Sequence, residues 1–176
     1  MDSHLEYVYK QYVESSDGSS DREEYFDETT IMRAILEDAE RAEEHVLNFK
    51  GSAKVHRVLN CNRAHGHLTL VDDYFAPDTL FADHFRRRFR MRKTVFDRLY
   101  HGVRSYDDYY IPKKDAVGMI GFSGYKKCTA AIWMLAYGTA ADSSDENLRM
   151  CESTCRDAMV RFATAVVEVF GPQYLR

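Results

Sequence analysis

The sequence predicts an all-α fold: a compact multi-helix bundle carrying an acidic helical arm at its N-terminal end. Three observations carry the prediction. Apolar residues recur at three- and four-residue spacing through most of the chain. No stretch of any length alternates with the period of two that a half-buried strand requires. The 176 residues hold only three prolines and nine glycines, so few long loops are expected. Composition agrees: 45% hydrophobic and 30% charged residues describe an ordinary soluble domain, and no apolar run reaches the roughly 20 residues of a membrane span. The opening MDSHLEYVYKQY has neither the basic start nor the apolar centre of a secretory signal.

In chain order, Leu5, Val8, Tyr9, Tyr12 and Val13 give a short amphipathic helix over 3–13. Residues 14–28 are rich in Ser and Asp and read as a disordered linker. A second helix is expected over 30–49, with Met32, Ile35, Leu36, Ala39 and Val46 on one face and Asp or Glu on the other. That acidic face is either simply solvated or belongs to a docking helix, for a basic partner or for the body of this chain. Residues 1–50 therefore form the arm and 51–176 the helical domain. Within the domain, 50–62 reads as a loop, 63–75 as a helix ending before Pro77, and 78–90 as a helix capped by Asp78 with Leu80, Phe81, Phe85 and Phe89 inward. A helix from Thr94 turns Val95, Phe96, Leu99, Tyr100 and Val103 inward, and 105–122 is a loop.

The C-terminal third carries three helical segments. Residues 124–137 are apolar nearly all round, as in a buried central helix, with Ser123 as N-cap and Gly138 as the closing residue. A short polar segment spans 142–149. The last helix, 153–170, presents Cys155, Met159, Phe162, Val166 and Phe170 on one face, with Ser153 at its start and Gly171-Pro172 at its end. A short helix, a turn and a longer helix outline a helix-turn-helix.

Charge is divided unevenly. The net charge is −4, yet residues 1–50 hold 14 acidic and 5 basic side chains while residues 51–176 hold 14 acidic and 19 basic. An acidic arm on a basic body suggests a partner for each. The densest signal is FRRRFRMRK, which places Arg86, Arg87, Arg88, Arg90, Arg92 and Lys93 within nine residues. Arginine forks match phosphate oxygens. The competing role is structural: cations favour a helix C-terminus, and Asp83 and Asp97 are at hand. Lys113, Lys114, Lys126 and Lys127 would extend the patch, and Ser153, Thr154, Arg156 and Arg161 would face base edges if the last helix reads DNA.

Catalytic patterns are missing. Asp72/Asp73 and Asp107/Asp108 are sequence neighbours that point apart on a helix, and no Walker loop, G-x-S-x-G, H-E-x-x-H or dinucleotide fingerprint occurs. The four cysteines read as reduced thiols. Cys151/Cys155 has no second ligand pair, and Cys61, His65 and His67 form a loose polar cluster rather than a metal site. The residues describe a binding module with no cofactor, no membrane and no evident small-molecule substrate.

Five pieces of the chain, GHLTLVDDYF (66–75), FRRRFRM (85–91), KCTAAIWMLAYG (127–138), ESTCRDAMVRF (152–162) and EVFGPQYLR (168–176), stand in an order and spacing that resembles the N-terminal part of plant PIF/Harbinger-type transposases. The likeness extends to their domesticated relatives, the nuclease-like or "antagonist of like heterochromatin protein"-like proteins. It runs from about Phe49 to Arg176. It implies a nuclear, helical region used for DNA binding and protein contacts. The family's nuclease activity belongs to an RNase H-like domain with three metal-binding acidic residues, beginning just beyond the segment similar to EVFGPQYLR, so no residue here inherits a catalytic role. Family members also work with a Myb-like partner that supplies DNA recognition and nuclear import. Cys151 departs from the pattern, since relatives often have glycine there.

Overall fold

The computed structural model describes residues 28–37, 63–76, 79, 81–113, 120–138, 140 and 148–175. The fold is all-α, and the described residues contain no strand. In chain order they form helix α1 (28–37), α2 (Arg63–Tyr74), a 3-10 turn (Ala82–His84), α3 (Phe85–Phe89), α4 (Lys93–Tyr106), a second 3-10 turn (Asp108–Tyr110), α5 (Gly124–Tyr137) and α6 (Glu152–Tyr174). The helix expected over 3–13, nearly all of the linker, residues 38–49 of the second expected helix, the loop 50–62, Asp78 and Leu80, Lys114 and most of the polar segment 142–149 lie outside the described residues.

Helix α5 is the centre. Residues 124–132 are all buried, which follows from a sequence apolar on every face. The Ser123 hydroxyl accepts from the Lys126 N–H at 3.3 Å, and Gly138, at φ 61°, closes the helix through its N–H to the Met134 carbonyl. Both ends are as expected. Gly124 is needed for close approach: a Cβ there would lie 2.5 Å from the Tyr110 carbonyl oxygen and 2.9 Å from the Tyr100 ring. Helix α6 packs along α5 and also touches α4. Ala130 and Ala131 of α5 and Ala158 and Ala165 of α6 are all fully buried, and small side chains let helix axes approach closely. Tyr110 is satisfied in this interior by donating to the Ala158 carbonyl at 2.8 Å.

Helix α1 packs on the body. Ile31 and Met32 are buried with Ala64 and Ile120, and Ala34, Ile35 and Leu36 lie against them. Glu28, the last residue of the expected linker, is helical and only 2% exposed. It accepts from the Gly124 N–H at 2.7 Å and from the Tyr100 hydroxyl at 2.9 Å, and Arg104 donates to the same hydroxyl at 2.9 Å. A carboxylate on the first N–H of α5 suits the positive end of that helix. Burial nonetheless pushes the Glu28 carboxyl above its ordinary range, against the pull of Arg104 and the two hydrogen bonds.

Four expectations need correction. Within the helix predicted over 78–90, the described residues from 81 onward form a 3-10 turn followed by five helical residues, because Arg90 adopts the left-handed conformation (φ 57°) and ends α3. Phe81 and Val95, expected inward, are 41% and 45% exposed. Phe96, Tyr100 and Val103, spaced by four and three, occupy the buried face of α4 instead. Helix α6 starts at Glu152 with Cys151 as its N-cap, not Ser153. It also runs through Gly171 and Pro172, since proline removes a single donor near the helix end and the last turn closes from the Leu175 N–H to the Gly171 carbonyl at 2.7 Å.

Candidate nucleic-acid interface

The cluster FRRRFRMRK is built around two phenylalanines. Phe85 and Phe89 are one helical turn apart and their rings stack at 4.2 Å. Phe89 is fully buried and Phe85 is 5% exposed. With that face committed to the core, Arg86, Arg87 and Arg88 are left on the outside. Arg90 ends the helix and Arg92 and Lys93 open α4, so six cations are exposed around one tight turn.

Two of the six have internal roles. Lys93 donates to the Phe75 carbonyl at 2.6 Å, bracing the end of α2. The Arg90 guanidinium lies 5.2 Å from the Tyr137 ring centre, a cation–π contact. The Tyr137 hydroxyl reaches back to the Arg87 and Arg88 carbonyls, 2.9 Å from each, which ties the open end of α3 to the end of α5. The side chains of Arg86, Arg87, Arg88 and Arg92 make no ion pair with any described residue. Neither Asp83 nor Asp97 forms an ion pair with them among the described residues, while Arg86, Arg87 and Arg88 stand in the last turn of α3, where cations suit the helix dipole.

Beside the turn lies a cleft of about 830 Å³. One wall is α2, with His65, Gly66, Thr69, Asp73 and Tyr74; another is Phe81, His84, Arg87, Arg88 and Arg90. The far side is Trp133 and Tyr137 of α5 together with Leu148 and Arg149. Arg149, His65 and His84 were absent from the residues expected at the site. Arg149 stands alone in a polar segment, and His65 is more than twenty positions from the arginines, so no local spacing joins them.

The other expected contacts divide differently. Lys126 and Lys127 do not extend the patch: they are 0% and 7% exposed. Lys126 lies with its ammonium 5.0 Å from the Phe122 ring centre, in space that a side chain at Gly66 would fill. Lys127 donates to the Tyr109 carbonyl at 2.6 Å, and burial lowers its pKa to about 8. On α6, Arg156 is bonded to Glu152, and Ser153 and Thr154 turn to the Cys151 sulfur. Arg161 donates to Asp107 at 2.9 Å and lies over the Tyr109 ring. Partial burial works to raise the Asp107 pKa, but the Tyr109 N–H and Arg161 together hold it below the usual carboxylate range. Asp108 pairs with Lys113. The start of α6 thus presents cations already neutralised by its neighbours, whereas the arginine turn does not.

The described residues contain no group of three or more His, Cys, Asp or Glu able to hold a metal ion. Cys155 is buried while Cys151 is exposed, so the two thiols do not share one site. No helix among the described residues is long and apolar enough to cross a membrane.

A family profile described as a domain of unknown function (DUF8418) matches residues 66–104, which takes in most of α2, the arginine turn and most of α4. No curated protein and no solved structure matched the chain.

Proposed function

We propose that this chain is a nucleic-acid-binding or assembly module without catalytic activity. Its parentage is that of the pre-catalytic region of PIF/Harbinger-type transposases, and its place of action is the nucleus. One observation carries the reading: Arg86, Arg87, Arg88 and Arg92 are exposed, unneutralised by any described residue, and held on a turn fixed by the buried Phe85–Phe89 stack. Arginines placed that way suit phosphate oxygens, and a preformed turn loses little entropy when it binds.

The test is a double variant, Arg86→Ala with Arg92→Ala. Each phosphate contact contributes about −0.9 to the slope of log K against log salt on duplex DNA. The variant is expected to flatten that slope by roughly one to two units and to weaken binding to all sequences alike. Its melting temperature should be unchanged, because these side chains brace nothing. An unaltered slope removes the reading.

A second reading has its own support. Val160, Val167 and Tyr174 are seven residues apart on α6 and are 55%, 53% and 65% exposed, an outward apolar line suited to a partner helix. In that case the module contacts a protein, such as the Myb-like partner expected from the resemblance, and DNA only through it. Co-purification lost on Val160→Glu, with the salt slope of the isolated chain flat from the start, would favour this second reading.

A further inference from the structure

We propose that the cleft beside the arginine turn receives one unpaired, splayed-out nucleotide, so that the module prefers single-stranded over duplex nucleic acid. This rests on the nucleic-acid reading above and specifies its ligand. Shape is the first argument. A duplex is read by an element that protrudes into a groove, whereas here Arg87, Arg88, Arg90 and Arg149 line a concavity of about 830 Å³, within the size range of pockets that enclose a ring-bearing ligand. A base confined in a duplex cannot enter it.

The chemistry of the walls is the second argument. Guanidinium groups share the lining with the rings of Tyr74, Phe81, Trp133 and Tyr137. Phosphate oxygens and a flat aromatic face are the two things a nucleotide offers, and base–aromatic stacking tolerates any base. Arg90 already lies over Tyr137 at 5.2 Å, an arrangement in which a planar base can stack against ring or guanidinium. Asp73 is the acidic side chain in this lining. A carboxylate repels phosphate but accepts from an exocyclic amino group, so it suits the base end of the cleft.

Backbone conformation is the third. Among the described residues the non-glycine positions with positive φ are Arg90 (57°) and Arg149 (50°), and both line this cleft. Glycine would adopt either conformation without steric cost. A long cation at both points to a use for the side chain that outweighs the strain.

Trp133 is the single tryptophan of the chain, so its emission reports on the cleft directly. The full chain is titrated with a short oligodeoxythymidine and with a mixed-sequence duplex of equal length, at one salt concentration, following both anisotropy and Trp133 fluorescence. The single strand is expected to bind roughly tenfold more tightly, from one stacked base, and to quench Trp133. Arg149→Gly is the decisive variant: the left-handed backbone favours glycine, so the fold is retained, and single-strand affinity should fall toward that of the duplex. Arg86→Ala/Arg92→Ala should weaken both ligands equally. Duplex bound as tightly as single strand, with Trp133 emission unchanged, overturns the cleft proposal while leaving phosphate contact by the turn intact. Binding of neither ligand overturns both.

Discussion

Phe89→Ala is expected to lower the stability of the chain by about 3–5 kcal/mol, as for other buried aromatic truncations, and its melting temperature by roughly 6–20 °C for a domain of this size. Phe89 is fully buried. Its ring lies 4.2 Å from Phe85, 5.3 Å from Phe96, 5.4 Å from Tyr74, 5.7 Å from Phe75 and 5.8 Å from Trp133. These rings come from α2 and the residue that follows it, α3, α4 and α5, so truncation opens a hole where four helices meet. Five residues are far too few for an independently stable helix. What keeps α3 helical is this packing, together with the Tyr137 hydroxyl at its last carbonyls. The loss should therefore reach the site: the arginines would no longer share one turn, and Tyr137 and Trp133 would lose the wall they stand against. Phe89→Leu, which refills most of the volume, should recover most of the stability. Equilibrium denaturation of the two variants measures both. A Phe89→Ala chain within about 1 kcal/mol of the parent would show that α3 is held by something other than its rings, since ordinary exposed substitutions stay within such limits.

The central helix was legible because its signals are local. Apolar residues on every face, Ser123 before it and Gly138 after it give type, burial and both ends of α5. The break in the arginine segment was not legible. Phe85 and Phe89 continue a helical pattern, and the residue that stops the helix in the left-handed region is Arg90, where sequence reasoning looks for glycine. The same limit hid the end of α6, since Pro172 reads as a stop although one missing donor in a final turn is tolerable. Lys126 and Lys127 misled for a different reason. A polar/apolar pattern assigns lysine to the surface, while these two lie in the first turn of a helix enclosed by its neighbours, with a carbonyl or a ring for each ammonium. The arginines could be named from the sequence. That they border a cleft with Arg149, His65 and Trp133 could not, because only tertiary contact joins α2, α5 and the residues before α6. The charge split likewise did not reveal that Glu28, counted in the acidic arm, is used inside the fold.

Acid should loosen the chain at a pH well above the carboxylate range, through His67. This residue is fully buried between α1 and the start of α5: Nδ1 lies 2.8 Å from the Ser123 hydroxyl and Nε2 lies 3.4 Å from that of Thr29. Burial first, and the Lys126 charge second, lower its pKa from 6.5 to about 3. The folded state therefore holds His67 neutral where the unfolded chain would protonate it. Its contribution is complete above pH 6.5 and is lost progressively as pH falls from 6.5 toward 3, at about 1.4 kcal/mol per pH unit. Glu28, on the same contact between α1 and α5, has the opposite sign. Its folded pKa is raised above 4.5, so its contribution is present below 4.5 and is lost as pH rises through the folded value. From pH 4.5 up to the folded value of Glu28 the two oppose each other, and the parent profile shows their net effect. Subtracting the profile of His67→Gln isolates the histidine: the parent should lose roughly 2–3 kcal/mol relative to the variant between pH 6.5 and 4.5. Asp107 contributes little there, because its pKa is held below 3.8. Glu28→Gln should steepen the acid loss in the same window by removing the opposing carboxyl. Parallel profiles for the parent and His67→Gln would show that the imidazole titrates alike in the folded and unfolded chain, and that the seat of α1 on the start of α5 admits a charged ring.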